Sequence, residues 1–227
     1  MNLAICSANI TQANRINSYL HMDNQTFASK KPEIRKADNI VRMLNTAYPR
    51  ISKTNFECFK NVNKKILEKL IKKTAKVRAA ITTRQIFAEN KIEKIKAIPS
   101  AIRDYKAGNC QESAYLCCIA AKINGIQDFR IAYLCSNETG DLDHAVVMVK
   151  NKNKPYIMDA WLNFADYLPK AVERYQNELS KYFNLSNKQT EKIKIEPLDF
   201  MLTAEKLTDE FSSEQLAKIF PELILKN

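Results

Sequence analysis

The stretch Cys110–Ile123, CQESAYLCCIAAKI, constrains the fold more than any other part of the chain. Wound at 3.6 residues per turn, the stretch is apolar almost all round, with Ala114, Leu116, Cys117, Cys118, Ala120 and Ala121 among its apolar positions. Such a helix has almost no face to offer to water and must lie buried and central. Gly108-Asn109 breaks the chain before it, and Asn124-Gly125 ends it. Three extended candidates follow: Phe129–Cys135, His144–Lys150 and Pro155–Trp161. The last two are joined by Asn151-Lys-Asn-Lys154, a hairpin signal. A buried helix beside a small antiparallel sheet makes the fold class α+β.

The flanks are helical and differ in charge. Residues 1–100 hold 20 Lys and Arg against 7 Asp and Glu, net +13; residues 101–227 hold 16 against 18, net −2. Residues 1–50 give little beyond polar turns at Asp23-Asn24 and Lys31-Pro32 and a helical pattern near Asp38–Ala47. From Asn55 to Arg78, Phe59, Val62, Ile66, Leu70 and Val77 recur at helical spacing, with seven lysines from Lys60 to Lys76 on the other arcs. A further helix is predicted over Thr82–Lys96, ending before Pro99. After Trp161 the pattern predicts helices near Lys170–Phe183, Thr203–Asp209 and Ser213–Phe220. The shift in character sets a basic helical region over 1–98 and a core with C-terminal helices over 99–227, the two sharing one compact domain as the alternative. No apolar run approaches the roughly 18 residues of a membrane span. No basic segment precedes an apolar one at the start, so no secretory signal is expected. The six cysteines are irregularly spaced and read as thiols of a reducing compartment. The three glycines, Gly108, Gly125 and Gly140, fall in one 33-residue window, which marks it as the place where positive φ or close backbone approach is needed.

That window also carries the chemistry. Cys110 falls at the first turn of the buried helix, where unsatisfied N–H groups stabilise a thiolate and can receive an oxyanion. Of the two histidines, His21 lies in a polar stretch, whereas His144 opens the apolar strand His-Ala-Val-Val-Met-Val. Asp159 has a geometric relation to His144. With the hairpin turn at Asn151-Lys152 the two are directly opposed; with Lys152-Asn153 or all of 151–154 they are diagonal neighbours. Each of these even-length loops leaves both on one face of the sheet. An Asp between Met158 and Ala160 is costly to bury unless paired, and an imidazole supplies the partner. Trp161 is expected on the same face, shielding the pair. Asp141 and Asp143 are read as solvated residues of the preceding turn. Cys117, Cys118 and Cys135 are read as packing thiols. A zinc site from Cys110, Cys135 and His144 lacks any short ligand spacing, so neither metal nor cofactor is expected.

Three pieces in order, Gly108-Asn109-Cys110-Gln111-Glu112-Ser113-Ala114, Asp143-His144-Ala145-Val146-Val147 and Ile157-Met158-Asp159-Ala160-Trp161, resemble the transglutaminase-like branch of the papain-like cysteine peptidases. The spacings, 34 residues from Cys110 to His144 and 15 from His144 to Asp159, are similar to those of bacterial peptidases and effector or toxin glutamine deamidases of that branch. The resemblance covers about residues 100–165. It implies a papain/transglutaminase-like core, with Cys110 as nucleophile, His144 as base then acid, and Asp159 as orienter. Gly108, Asn109, Gln111, Glu112 and Trp161 would then support the site, Glu112 from a structural position at the helix start. The expected activity is cysteine-dependent acyl transfer on protein amides: proteolysis, glutamine deamidation or transglutamination. The expected partner is an acidic protein or peptide steered by Lys65, Lys69 and Lys72, rather than nucleic acid or membrane. The expected location is the cytoplasm of the producing cell, with delivery into a host cell compatible with the branch. The contrasting reading is a non-catalytic binding module whose basic helices hold an acidic protein, nucleic acid or an anionic membrane.

Overall fold

A computed structural model of the 227-residue chain describes residues 30–50, 64–136, 140–151, 154–182, 193–197, 206 and 208–226. Cys6, His21, Cys58, Lys60 and the turn at Asp23-Asn24 lie outside these residues, as does most of the helix expected over Thr203–Asp209. The order is α1 (Pro32–Ala47), α2 (Lys64–Ile86), α3 (Lys91–Tyr105), α4 (Cys110–Ile123), β1 (Phe129–Ser136), β2 (Gly140–Val149), β3 (Tyr156–Asp159), β4 (Phe164–Tyr167), α5 (Leu168–Tyr182), β5 (Ile193–Pro197) and α6 (Ser213–Ile219). A 3-10 turn, Pro221–Leu223, follows. The strands form one antiparallel sheet in the order β4-β3-β2-β1-β5. Mixed α+β is therefore the class, as expected.

α4 is buried almost all round, from Ser113 to Ala121. It packs with α1, α6 and one face of the sheet in a core that includes Ile34, Ile40, Leu44, Val147 and Met158. The opposite sheet face, with Leu134, Val146 and Ile157, is covered by α5 through Ala171 and Tyr175. The sheet is thus a middle layer between helices. α1 starts earlier than its pattern suggested, because Pro32 opens a helix rather than a turn. Its buried Asp38 accepts from the Ala165 N–H at 2.9 Å and pairs with Lys30 at 3.3 Å, which locks α1 to β4. α1 and α4 share a core, and α3 runs across residue 98, so packing is continuous over the place where composition changes.

The helices before the core differ from expectation. α2 continues to Ile86, and α3 begins at Lys91 and passes through Pro99 to Tyr105 instead of stopping before it. The break comes from capping. Asn90 accepts the Glu93 N–H at 2.9 Å while Glu93 accepts the Glu89 N–H at 2.8 Å, so a new helix starts at this point. Pro99 survives inside because of a substitute donor. A proline there leaves the carbonyl four residues back, that of Ile95, without its helical N–H. The buried Tyr115 hydroxyl donates to the Ile95 carbonyl instead, at 3.3 Å.

Two strands, β4 and β5, also lay outside the expectation, β4 being four residues long and β5 five. β2 begins at Gly140, so Asp141 and Asp143 belong to the strand rather than to a preceding turn; their side chains are outside the description. Glycine is less of a marker than expected. Gly125 has φ +71, but Lys106, Asp128 and Asn163 also adopt positive φ. A Cβ on Gly108 would meet Arg50, Ile102 and Glu112 at 3.5–3.6 Å, ordinary contact distances, so space does not demand glycine there. Among the described residues, no helix is long and apolar enough to cross a membrane.

Candidate active site

Cys110, His144 and Asp159 come together where the start of α4 meets β2 and the end of β3. The β2–β3 pairs Val147 with Met158 and Val149 with Tyr156 set the diagonal register of the two expected alternatives. Across that diagonal, His144 Nε2 lies 2.7 Å from Asp159 Oδ2, with both side chains buried. The β1–β2 register slips between Leu134 and Cys135, immediately beside the Leu134–His144 pair. A bulge re-aims the side chains next to it, and this one sits next to the imidazole. Cys110, the half-buried first residue of α4, is hydrogen-bonded to His144. Since Nε2 is held by Asp159, the nitrogen facing the thiol is Nδ1.

The carboxylate of Asp159 is held from several sides. Oδ2 accepts from the Tyr175 hydroxyl at 2.8 Å as well as facing His144. Oδ1 accepts the N–H groups of Trp161 and Leu162, each at 2.8 Å. Burial alone would raise its pKa. The imidazolium charge of His144, its hydrogen bond, the Leu162 N–H and the Tyr175 hydroxyl outweigh that and hold it below the ordinary carboxyl value. His144 is the mirror case. Burial pushes its pKa down, but the charge and hydrogen bond of Asp159, helped by the bond to Cys110, raise it above that of a free imidazole.

The helix start is built for rigidity. Glu112 Oε2 accepts the Asn109 N–H at 2.8 Å in a reciprocal capping box, and its other oxygen meets Arg78 of α2 at 3.8 Å. The box engages the N–H groups of Asn109 and Glu112 and leaves that of Gln111 with no intrahelical acceptor. The Gln111 side chain donates to the Tyr133 hydroxyl of β1 at 2.7 Å. Trp161 lies in the turn after β3, not in the strand as expected, because β3 ends at Asp159. Its ring still covers His144, with centroids 4.8 Å apart and a tilt of 53°. Cys117 is buried on α4, and burial, with Asp159 nearby, pushes its thiol up to about 12. Cys118 is buried too, and Cys135 is half-buried at the sheet. The lysines singled out for steering, Lys65, Lys69 and Lys72, are exposed on α2.

Two site residues escaped the sequence reading. Tyr175 is one of two tyrosines on an amphipathic helix, and nothing local separates a tyrosine that packs from one that donates to Asp159. Arg50 follows α1 as an isolated cation. Its Nε donates to the Ser113 hydroxyl at 2.7 Å, Nη1 to the Tyr48 carbonyl at 2.9 Å and Nη2 to the Ala160 carbonyl at 3.0 Å. It therefore joins the start of α4 to the residue after Asp159. Clefts lined by Glu33, Lys36, Tyr156 and Gly125, and by Lys122, Arg130 and Asp209, lie at the other end of α4. No group of three or more His, Cys, Asp or Glu able to hold a metal ion occurs among the described residues. Comparison with family models, curated proteins and solved structures finds no match to this chain.

Proposed function

We propose that the protein is a cysteine-dependent acyl-transfer enzyme acting on protein amides, built on a papain/transglutaminase-like core. One observation carries the reading: a half-buried thiol at a helix N-terminus bonded to a histidine whose far nitrogen is held at 2.7 Å by a buried carboxylate. The helix-on-sheet layout, with the cysteine on the helix and the histidine and aspartate on adjacent strands, supports the core assignment.

The chemistry follows from the atoms. Asp159 accepts from Nε2–H, which leaves Nδ1 as the position that takes the thiol proton. The resulting imidazolium is favoured by the same contacts that raise the pKa of His144. Cys110 Sγ attacks the amide carbonyl, and the developing oxyanion faces the start of α4, where the Gln111 N–H is available. His144 then gives its proton to the departing ammonia or amine, leaving a thioester. Water or a second amine, deprotonated by His144, resolves that thioester and regenerates the thiol. Hydrolysis of a peptide bond, deamidation of glutamine and amine transfer share these steps and differ in the acceptor that reaches the thioester.

The test uses the whole protein against candidate protein substrates, read by intact and peptide mass spectrometry. Activity predicts either cleavage or a gain of about 1 Da per modified glutamine, absent with Cys110→Ala. Limiting iodoacetamide at neutral pH should label Cys110 well before Cys117 or Cys118, both buried. Equal labelling of Cys117 would remove the thiol assignment.

A further inference from the structure

We infer that the outer face of α2 is a docking surface for an anionic lipid bilayer. The helix buries a narrow seam, Leu70, Thr74, Val77 and Ile81, of which Val77 and Ile81 pack with Ala101 of α3. At about 100° per residue, Lys65, Glu68, Lys69, Lys72, Lys76, Ala79, Thr83, Ile86 and Phe87 fall within an arc of about 100° on the opposite side, with Glu68 at its edge. All nine are exposed. Phe87 continues the helical hydrogen bonding, its N–H donating to the Thr83 carbonyl at 3.0 Å, so the arc extends to it.

Two independent features share that arc. The first is charge. α2 holds Lys64, Lys65, Lys69, Lys72, Lys73, Lys76, Arg78 and Arg84 against the single acid Glu68. Lys69, Lys72 and Lys76 make no ion pair among the described residues. The second is apolar exposure where α2 gives way to α3: Ile86 is 70% and Phe87 76% exposed, and Ile92 near the start of α3 is 44% exposed. A Phe and an Ile this open at the end of a helix gain free energy of transfer when an apolar medium receives them.

The kind of cation narrows the partner. The arginines of α2 are turned to other tasks, Arg78 meeting Glu112 and Arg84 bonding Asp104 and Ser100. The outward cations are lysines, compact charges that suit a diffuse negative surface better than the paired oxygens of a phosphate or carboxylate, which favour the guanidinium fork. A bilayer of acidic lipids supplies both the diffuse charge and, a few ångströms deeper, a receiving medium for Ile86 and Phe87. Duplex nucleic acid and soluble acidic peptides supply the charge alone. The face is about 33 Å long at 1.5 Å per residue, and it is tied to the start of α4 by Arg78 and Glu112.

Co-sedimentation with phosphatidylcholine vesicles, with and without about 30 mol % phosphatidylserine, tests this. The protein should bind only the phosphatidylserine vesicles, less at physiological than at low salt. The Ile86→Ser/Phe87→Ser variant should bind them about tenfold more weakly. Lys69→Gln/Lys72→Gln/Lys76→Gln should lose the preference for phosphatidylserine. All these side chains are exposed, and thermal melts checked against the parent protein show that the variants are folded. Phe87→Trp should add a vesicle-dependent blue-shifted emission over the background of Trp161. Equal binding to neutral vesicles, or unchanged binding of the Ile86→Ser/Phe87→Ser variant, overturns the inference. So does binding to polyglutamate or duplex DNA that matches or exceeds binding to the vesicles, which would assign the face to a soluble polyanion.

Discussion

At the scale of single residues, Asp159 is the most informative group in the chain. It is 1% exposed and accepts from the Tyr175 hydroxyl and the Trp161 and Leu162 N–H groups while facing His144. An Asn in its place keeps the shape but cannot hold the charge that fixes the Nε2 proton. Asp159→Asn should therefore leave the fold intact and lower turnover by about 10³–10⁴-fold. A rate within a few-fold of the parent would make another residue the orienter. The pair also has a pH signature. The lowered pKa of Asp159 contributes stability that is present above the unfolded carboxyl value, about 3.9, and is lost as pH falls through its folded value. The raised pKa of His144 contributes stability that is complete below about 6.5 and is lost as pH rises through its folded value. Melting temperatures measured from pH 4 to 10 should thus decline above about pH 6.5, and Asp159→Asn should flatten that decline. Parallel profiles for parent and variant would show that the pair is not coupled. The pairing of His144 with Asp159 could be picked out from the sequence because cost and spacing both pointed to it: a lone Asp in an apolar strand needs a partner, and hairpin parity brings one. Tyr175 could not, since its role depends on where α5 crosses the sheet.

At the scale of elements, the parts that could be read were those whose pattern is long or self-contained. α4 is recognisable because fourteen residues with so little polar surface allow one environment. β1, β2 and β3 are recognisable because short, nearly continuous apolar runs are bounded by turn signals. β4 and β5 are short strands whose pairing comes from the sheet they join, so their own residues hardly distinguish them from loop. The Pro99 helix failed for a different reason: its compensation is supplied by Tyr115, sixteen residues away on another helix. That compensation can be measured by a double-mutant cycle. Tyr115→Phe leaves the Ile95 carbonyl buried without a donor and should cost about 1–3 kcal/mol. Pro99→Ala returns the helical N–H to the same carbonyl, so in the Tyr115→Phe background it should recover most of that loss. In the parent, where the carbonyl is already served, the gain should be smaller. Urea midpoints of the four proteins give the coupling. Additive effects would mean that the tyrosine hydroxyl is not the substitute donor.

At the scale of the whole molecule, the site depends on segments far apart in sequence held in one frame, and Arg50 is the joint. It reaches Ser113 across 63 residues and Ala160 across 110, while gripping the Tyr48 carbonyl beside it. No local pattern announces such a residue; only the packing of α1 against α4 and the sheet creates its three acceptors. Burial pushes the guanidinium pKa down to about 10, with Cys117, Asp159 and Glu112 pulling the other way, so it stays cationic at neutral pH. Its donors go to two carbonyls and a hydroxyl, and it adds positive potential near the Asp159 carboxylate. Arg50→Met removes all three bonds. Two carbonyls then lose their donor, while the Ser113 hydroxyl keeps its bond to the Asn109 carbonyl at 2.8 Å. At about 1–3 kcal/mol for each of the two buried carbonyls left unpaired, the loss of stability should be about 2–6 kcal/mol. Arg50→Lys separates charge from geometry, since one ammonium keeps the positive charge but cannot span acceptors on three segments. It should recover part of the stability and yet turn over substrate at least about tenfold more slowly, with KM for a small amide little changed, because the spacing of Cys110 from Asp159 is no longer fixed. Urea denaturation and steady-state kinetics on both variants decide the matter. If Arg50→Met unfolds at the parent midpoint, or Arg50→Lys keeps full kcat, the joint lies elsewhere, and α1 supports the site only by covering it.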